Sequence, residues 1–394
     1  MLLVYYSEDP AAQNMVSELL KTVEWRREGD FLVHGNLHLL EIGERVAYLE
    51  RLEARKFGDF RNMIVLSRHA SKSGNRIVTT HFTGKISEDD FRISIPAPQL
   101  QFSLMRGLSR RIPENFLLSL ECTHHGPYET DVPSLFVEIG STESEWRNRE
   151  VAHAVAKSIL EMRIESPPLT CVSFGGGHYA PRQTKILLSG ASAFAHIIPN
   201  HLIEMLTRER IERLFEVSGT DFCHLDRKSM NSKMRRALEE LLEGYIQISE
   251  GNLMMKPKGE IYREISKRIE DPVLTERVNE ISPEFHEFSR ELFSIVMSID
   301  SDRAKRILSE NCGAYSKDGS ILMCSSEELR RILNEFLEIL SSTYSIRVDL
   351  ERGALILERS AEGKIINSRR IKEVRLRREF IEILKGGDLD GVNN

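Results

Sequence analysis

Residues 2–23 read LLVYYSEDPAAQNMVSELLKTV, a short apolar run followed directly by a helix signal. The run Leu2–Tyr6 consists of residues that favour a buried strand. Asp9 followed by Pro10 is typical of a helix start, because Asp caps the first turn and proline has no N–H to leave unpaired there. Val16 and Leu19 then begin the apolar stripe of the expected helix. A strand joined to a helix by a short connection is the repeating unit of an α/β fold.

Short β-rich runs alternate with helical patterns up to about residue 250. The predicted strands are Leu2–Tyr6, Leu37–Ile42, Met63–Arg68, Ile77–His81, Phe116–Cys122, Leu135–Ile139, Cys171–Phe174 and Lys185–Leu188. We therefore expect an α/β fold with a mixed, largely parallel sheet flanked by helices.

The pattern changes near residue 271. The predicted helices there are Phe285–Ile299, Ala304–Leu308 and Glu327–Leu340, followed by the strand pair Ile346–Leu350 and Ala354–Leu357. We predict two domains, residues 1–270 and a small C-terminal α+β domain of residues 271–394.

Composition excludes several classes of protein. The apolar runs are far shorter than a bilayer span, so no membrane partner is expected. Five widely spaced cysteines argue against a disulfide framework or a zinc ribbon. The net charge of −6 is unlike that of a general nucleic-acid binder, so a polyanion would need a local basic patch such as Lys364–Arg378. No export signal precedes Leu2, and we expect a cytoplasmic protein.

Adjacent histidines follow one predicted strand. His124 and His125 precede the turn residues Gly126 and Pro127. Side chains of neighbouring residues in a strand point to opposite faces, so the two imidazoles can share a ligand only if the strand has already bent. Otherwise one serves chemistry and the other orientation, or both are ordinary turn residues.

A triple-glycine turn carries the densest group of functional side chains. Gly175–Gly177 follow a predicted strand, and His178, Tyr179 and Arg182 come next. Without side chains, the glycine amides can approach an anionic or carbonyl oxygen closely. The alternative is a merely flexible turn, although such a turn has no need of His, Tyr and Arg beside it.

Other candidates lie at strand ends. His69 and His81 either face one cleft or are hydrogen-bonded separately at the sheet rim, and His196 is either a core or a catalytic histidine. Glu138 can hold a histidine or a metal ligand in place. Imidazoles and a carboxylate can hold Zn²⁺ and activate water, which favours hydrolysis. No nucleophile-elbow or Walker motif favours a serine hydrolase or an NTPase.

The ordered motifs resemble those of D-aminoacyl-tRNA deacylases of the archaeal and plant type. The matching residues are Asp9-Pro10-Ala11, Ser67-Arg68-His69, Thr80-His81 with Thr83-Gly84, His124-His125-Gly126-Pro127, Glu138-Ile139-Gly140-Ser141 with Trp146, Gly176-Gly177-His178-Tyr179-Ala180-Pro181, His196, and Asp226 with Lys228. They cover about the first 250 residues.

The resemblance implies a zinc-dependent, monomeric enzyme that hydrolyses the ester between a D-amino acid and tRNA, on a fold related to peptidyl-tRNA hydrolases and phosphorylases. The candidate catalytic residues are His124, His125, His178 and Glu138. The candidate metal ligands are His69, His81, His124, His125, His178 and His196, with the ligand set left open. The candidate substrate-binding residues are Arg68, Gly175, Gly176, Gly177, Tyr179, Arg182 and Trp146, with the glycine amides expected to hold the oxyanion.

Two other functions fit the same residues. One is a different α/β hydrolase, such as a peptidyl-tRNA hydrolase or a metallopeptidase. The other is a tRNA-binding module without catalysis, in which the histidines are structural. For the basic residues Lys364–Arg378 we expect either contact with tRNA or a solvated surface.

Overall fold

The computed structural model describes residues 1–349, 351–359, 371–377, 380 and 381. The chain divides into two compact units, Met1–Lys256 and Pro257–Asn394. The helix Gly259–Arg268 belongs to the second unit, so this division lies before the one expected at residue 270. Among the described residues, no helix has both the length and the apolar character needed to span a membrane.

A large sheet with a parallel centre dominates the first unit. In the described part of the chain it has eight strands, in the spatial order Leu117–Leu120, Ile77–His81, Ser134–Gly140, Met63–Arg68, Leu2–Tyr6, Leu37–Ile42, Phe31–His34 and Arg26–Glu28. The four central strands from Ser134–Gly140 to Leu37–Ile42 are parallel. Ile77–His81 is antiparallel to Ser134–Gly140. The mixed, largely parallel sheet predicted from the sequence is confirmed.

A second sheet of parallel strands follows in the same unit. Its spatial order is Ala193–Ile198, Thr170–Phe174, Phe222–Leu225 and Ile246–Gln247. The prediction of a strand at Lys185–Leu188 is wrong, because these residues end the helix Pro181–Leu188. Apolar runs this short occur in buried helices as well as in strands, and Pro181 at the first helical position was the better signal.

Helices and short ladders complete the first unit. Its α-helices are Pro10–Thr22, Pro98–Leu108, Glu143–Trp146, Arg149–Leu160, Pro181–Leu188, Arg208–Ser218, Ser232–Leu241 and Glu250–Met254. Its 3₁₀ helices are Val46–Tyr48, Ala54–Lys56 and Asn200–Met205, and its two short ladders pair Arg51–Leu52 with Glu129–Thr130 and Gly84–Ile86 with Phe91–Ile93.

The first helix begins where the sequence predicted. The side chain of Asp9 accepts hydrogen bonds from the amides of Ala11 and Ala12 at 3.0 Å. Its other oxygen accepts from the amide of Arg68 at 3.1 Å. Asp9 therefore joins the start of the helix to the end of the strand that precedes His69.

The second unit combines helices with antiparallel sheets. Its elements are the helices Gly259–Arg268, Arg290–Ile299, Ser301–Asn311 and Ser326–Ser341, the 3₁₀ helix Glu276–Asn279, the strands Val273–Leu274, Ala314–Tyr315, Ile321–Met323 and Phe285–Glu287, and the strands Tyr344–Asp349, Ala354–Arg359 and Ile371–Arg375. The helix predicted from Phe285 begins only at Arg290, because residues 285–287 form a strand.

Candidate active site

Three of the expected site residues lie on one face of the large sheet. Glu138 pairs with Ser67 of one neighbouring strand and with Thr79 of the other. His69 and His81 lie two residues further along, and side chains two residues apart in extended chain share a face. His81 approaches from the opposite direction to His69, because its strand is antiparallel to that of Glu138. The two imidazoles therefore meet over the face of the sheet and not along one edge.

Glu121 is the site residue that the sequence analysis did not select. It directly follows the strand that ends at Leu120, and its side chain is fully buried. Its carboxylate oxygens lie 3.1 Å from Nδ1 of His69, 3.2 Å from Nδ1 of His81 and 3.3 Å from Nε2 of His178. A carboxylate continuing an apolar strand was the available signal, since buried acids are rare unless they have a charged or metal partner.

The adjacent histidines lie in a bend that brings their rings together. His125 has a φ of 39°, so the chain has left the extended conformation there. The ring centroids of His124 and His125 are 4.4 Å apart, and they lie 4.3 and 4.7 Å from that of His81. Gly126 permits the bend, because its amide donates to the carbonyl of Ala47 and a Cβ at this position would collide with the neighbouring backbone.

The loop after the triple glycine brings His178 and Tyr179 to the same place. The amide of Cys122 donates to the carbonyl of His178 at 2.9 Å, which pairs this loop with the residues that follow Glu121. The ring of His178 lies 4.6 Å from that of His124, and its side chain is 44% exposed. Tyr179 places its hydroxyl 2.8 Å from Nε2 of His69. Seven residues form this imidazole–carboxylate cluster: His69, His81, His124, His125, His178, Glu121 and Glu138.

The glycine amides do not form the expected oxyanion site as a group. The Gly175 amide donates to the carbonyl of Ile198 at 2.8 Å, and the Gly176 amide donates to Oγ of Ser229 at 2.8 Å. Both are therefore unavailable to a substrate. Of these three glycine amides, only that of Gly177 has no acceptor among the described residues.

Burial and the neighbouring charges shift the pKa values of Glu121 and Glu138 in opposite directions. Burial favours their neutral form, but hydrogen bonds and charges of the neighbouring imidazoles outweigh it and lower the pKa of Glu121 and Glu138 below the usual range. No lysine or arginine of the described residues pairs with either carboxylate. Burial lowers the pKa of both His81 and His124, so these two imidazoles favour the neutral form.

The other two imidazoles that contact Glu121, those of His178 and His69, have a raised pKa. Hydrogen bonds to the Cys122 thiol and to Glu121 raise the pKa of His178 to about 10. Burial opposes ionisation of His69, but its hydrogen bond to Glu138 and the charges of both carboxylates raise its pKa. His178 is therefore a proton donor at neutral pH.

The hydrogen-bond pattern of the cluster fits a bound cation. The Nδ1 atoms of His124 and His125 lie 2.8 and 2.7 Å from backbone carbonyls, which only accept, so in the neutral form of each ring the lone pair is on Nε2. Nε2 of His81 lies 3.1 Å from Nε2 of His125, and its Nδ1 faces Glu121. No neutral tautomer of His81 can donate in both directions.

Several groups of ligand atoms are close enough to share a metal ion. In the described residues these groups are His81 with His124 and His125, Cys122 with His124 and His178, His69 with Glu121 and His178, and His81 with Glu121 and Glu138, with the atoms of each group within 4.8 Å of one another. Imidazole nitrogens and carboxylate oxygens are the ligands that Zn²⁺ uses in catalytic sites. The donor set thus fits zinc.

His196 is a core histidine and not part of the cluster. Its ring nitrogens lie 2.9 Å from Oγ1 of Thr123 and 3.2 Å from the carbonyl of Ser94. Both are engaged, so neither is free for a metal. Its inclusion among the metal candidates is corrected, and burial lowers its pKa to about 4.

The two arginines expected at the substrate have carboxylates nearby. Nη1 of Arg182 lies 3.2 Å from Asp226 and 3.6 Å from Glu250, so carboxylates already neutralise its charge. Arg68 stacks its guanidinium 5.1 Å from the ring of Trp146, and its Nε lies 4.0 Å from Asp9.

Trp146 acts on the cluster through the backbone. Its indole N–H donates to the carbonyl of His69 at 2.8 Å. Gly140 packs against His69 so closely that a Cβ at this glycine would lie 2.7 Å from the Cβ of the histidine. Trp146 and Gly140 thereby fix the position of His69, while Tyr179 holds its ring.

The basic stretch of the second unit is only partly described. Lys364, Arg369, Arg370 and Arg378 lie outside the described residues. Lys372 and Arg375 are exposed on the strand Ile371–Arg375, and Arg377 forms an ion pair with Glu287.

Protonation of His196 should destabilise the protein in mild acid. The unfolded-state pKa of histidine is near 6.5, so unfolding takes up a proton as pH falls from 6.5 towards 4, and the stabilisation present above pH 6.5 is lost. We expect His196 to contribute about 2 kcal/mol to the loss of unfolding free energy between pH 7 and pH 5. Urea unfolding of His196→Gln at both pH values should show a smaller loss than wild type. Exposed His201→Gln is the control, and an equal loss in all three proteins contradicts the prediction.

Comparison with known proteins agrees with this geometry. A family model described as D-aminoacyl-tRNA deacylase matches residues 56–246. A D-aminoacyl-tRNA deacylase of Methanothrix thermoacetophila is 38% identical over 61% of this chain and 92% of its own length. One from Methanococcoides burtonii is 29% identical over 89% of this chain and 84% of its own, an overlap that extends into the second unit.

A solved structure has a similar fold. The crystal structure of AF0625, titled a conserved protein of unknown function, has a TM-score of 0.58 and 32% identity, covering 64% of this chain and 96% of that chain. The relatives that are at least 35% identical and are matched over more than nine tenths of their length show that the chain belongs to the D-aminoacyl-tRNA deacylase family.

Proposed function

We propose that the imidazole–carboxylate cluster hydrolyses the ester bond of D-aminoacyl-tRNA, releasing the free D-amino acid and tRNA. One observation carries the proposal: five imidazoles and two buried carboxylates from separate strands and loops converge beside the half-open side chain of His178. Hydrolysis of an ester needs an activated water, a stabilised oxyanion and a proton for the leaving oxygen. D-aminoacyl-tRNA is the substrate named for the family.

We assign the zinc-binding role to His81, His124 and His125. Their Nε2 atoms are the ones left without a hydrogen-bond donor or with conflicting partners. The nearby carboxylate of Glu121 balances the ion's charge and orients His81. Bound zinc supplies a Lewis acid that lowers the pKa of a water molecule to about 7.

The other residues of the cluster bind, orient and transfer protons. The buried carboxylate of Glu121 orients His69, His81 and His178 through contacts of 3.1, 3.2 and 3.3 Å. His178 donates a proton to the leaving ribose oxygen, since its raised pKa keeps it protonated at neutral pH. Tyr179 holds His69 in place, and the amide of Gly177 is the candidate donor to the oxyanion.

Three further assignments belong to the same proposal. The chain acts as a monomer in the cytoplasm, and its partner is tRNA that carries a D-amino acid. The basic residues of the second unit, including Lys372 and Arg375, add contacts to tRNA phosphates. A substrate bound mainly through few phosphate contacts has modest, salt-sensitive affinity.

Competing substrates test the proposal directly. Purified protein is incubated with D-tyrosyl-tRNA, L-tyrosyl-tRNA and N-blocked peptidyl-tRNA under the same conditions, and release of the amino acid or peptide is measured. We expect rapid release from D-tyrosyl-tRNA only. Preferential cleavage of peptidyl-tRNA would identify the other hydrolase, and binding of tRNA without any cleavage would identify a module without catalysis.

A further inference from the structure

Tyr48 is the most exposed large apolar side chain among the described residues. It is 76% exposed at the end of the 3₁₀ helix Val46–Tyr48. Arg45 holds it in place, because Nη1 of the arginine donates to the Tyr48 hydroxyl at 2.8 Å and the guanidinium lies 4.8 Å from the ring centroid. A single exposed apolar residue means little by itself. Two further observations suggest a function for Tyr48: the position of the Arg45–Tyr48 pair beside the cluster, and the charge of Arg45.

The Arg45–Tyr48 pair lies beside the turn that contains His125 and Gly126. Val46 and Ala47 are buried in the same apolar cluster as Phe136, whose ring stacks 5.2 Å from His81 and lies 5.0 Å from His125. The carbonyl of Ala47 also accepts the amide hydrogen of the glycine that follows His125, at 3.1 Å. The exposed aromatic ring therefore belongs to a segment hydrogen-bonded to the turn that follows His125, and this histidine is among those that we place at the reacting ester.

Arg45 differs from other cations close to the site. Arg182 pairs with Asp226 at 3.2 Å, and Lys85 pairs with Asp90 at 2.9 Å. Arg45 has no carboxylate partner in the described part of the chain, and its buried Nε has no hydrogen-bond acceptor there. A guanidinium without a carboxylate partner keeps the charge with which it can bind a phosphate.

We propose that Arg45 and Tyr48 form the binding site for the 3′-terminal nucleoside of tRNA. The base stacks on the Tyr48 ring, and Arg45 binds the adjoining phosphate. Proteins hold single-stranded RNA ends by stacking bases on aromatic side chains and pairing phosphates with arginine. The terminal ribose carries both the base and the ester, so its base must lie beside the catalytic histidines. This assignment rests on the proposed function and names how that substrate is held.

Comparing a substrate that has a terminal nucleobase with one that has none tests this binding site. The kcat/KM for D-tyrosyl-tRNA divided by that for D-tyrosine methyl ester should fall about tenfold in Tyr48→Ala, through KM, because one stacked base is lost. Tyr48→Phe keeps the ring and should retain the wild-type ratio. Phe57→Ala removes an aromatic residue of the same segment that is 41% exposed, and it should also retain the ratio. An unchanged ratio in Tyr48→Ala overturns the proposal.

Binding without turnover separates this proposal from the proposed function. The affinity for a short uncharged RNA ending in CCA is measured by fluorescence anisotropy, and it needs no hydrolysis. Tyr48→Ala should weaken binding about tenfold. Arg45→Ala should reduce the slope of log Kd against log salt by about 0.7, as expected for one lost phosphate contact on a single strand. If both variants keep the wild-type RNA affinity and salt slope, the proposed nucleoside site is refuted, even if deacylation is established. Weakened binding supports it even if deacylation fails.

Discussion

Replacing Glu121 with glutamine should lower kcat for D-aminoacyl-tRNA by about a hundredfold to a thousandfold. Its buried carboxylate touches three imidazoles, those of His69, His81 and His178. The amide of glutamine keeps the shape but removes the charge that orients these imidazoles and raises the pKa of His178. Zinc affinity should fall about tenfold to a hundredfold, because a carboxylate that orients a metal ligand is lost.

A second buried glutamate provides the matched control for Glu121→Gln. Glu18 is buried on the first helix, where it pairs with Lys21 and Arg149 outside the cluster. Glu18→Gln should keep wild-type kcat even if its thermal midpoint falls. Single-turnover hydrolysis, bound zinc and thermal unfolding are measured for both variants. A folded Glu121→Gln protein with wild-type kcat would show that the carboxylate does not belong to the reacting site.

Replacing Gly175 with alanine should destabilise the protein by about 3 kcal/mol. Gly175 has a φ of 113°, a conformation that L side chains rarely adopt. A Cβ there would lie 2.9 Å from atoms of Asp226, Ser229 and Met230. The glycine is thus needed for conformation and close packing, while its amide is bonded within the protein. Displacement of this loop should also move His178 and lower kcat.

Gly177→Ala is the control for Gly175→Ala within the same turn. A Cβ at Gly177 meets no atom within 4 Å, and its backbone needs no positive φ. Alanine retains the amide N–H, so we expect a change in unfolding free energy of less than about 0.5 kcal/mol and near wild-type activity. Urea unfolding and kcat are measured for both variants. Equal tolerance of the two substitutions would contradict the packing role of Gly175.

Local signals predicted most elements of the first unit. The Asp9-Pro10 start of the first helix is confirmed, as are the strands Leu2–Tyr6, Leu37–Ile42 and Met63–Arg68. Capping and apolar runs act over a few residues, so they are visible in sequence. The strand Ala193–Ile198 was missed, because its apolar residues precede Pro199 and resemble the approach to a helix.

The convergence of the cluster depends on information that local patterns do not contain. The parallel pairing of Leu117–Leu120 with Ile77–His81 places Glu121 beside His81. The bend at His125 then allows adjacent imidazoles to share one side of the site. Sequence identified the histidines by their positions after strands, but it did not distinguish His196, whose nitrogens are engaged within the core.

The central claim is that this cluster binds zinc and hydrolyses D-aminoacyl-tRNA. It is tested most directly by measuring metal content and D-tyrosyl-tRNA hydrolysis on the same samples, before chelation, after chelation and after zinc is restored. We expect hydrolysis to fall in proportion to the zinc removed and to return when zinc is restored. Full hydrolysis by metal-free protein, or zinc-loaded protein without hydrolysis, would contradict it.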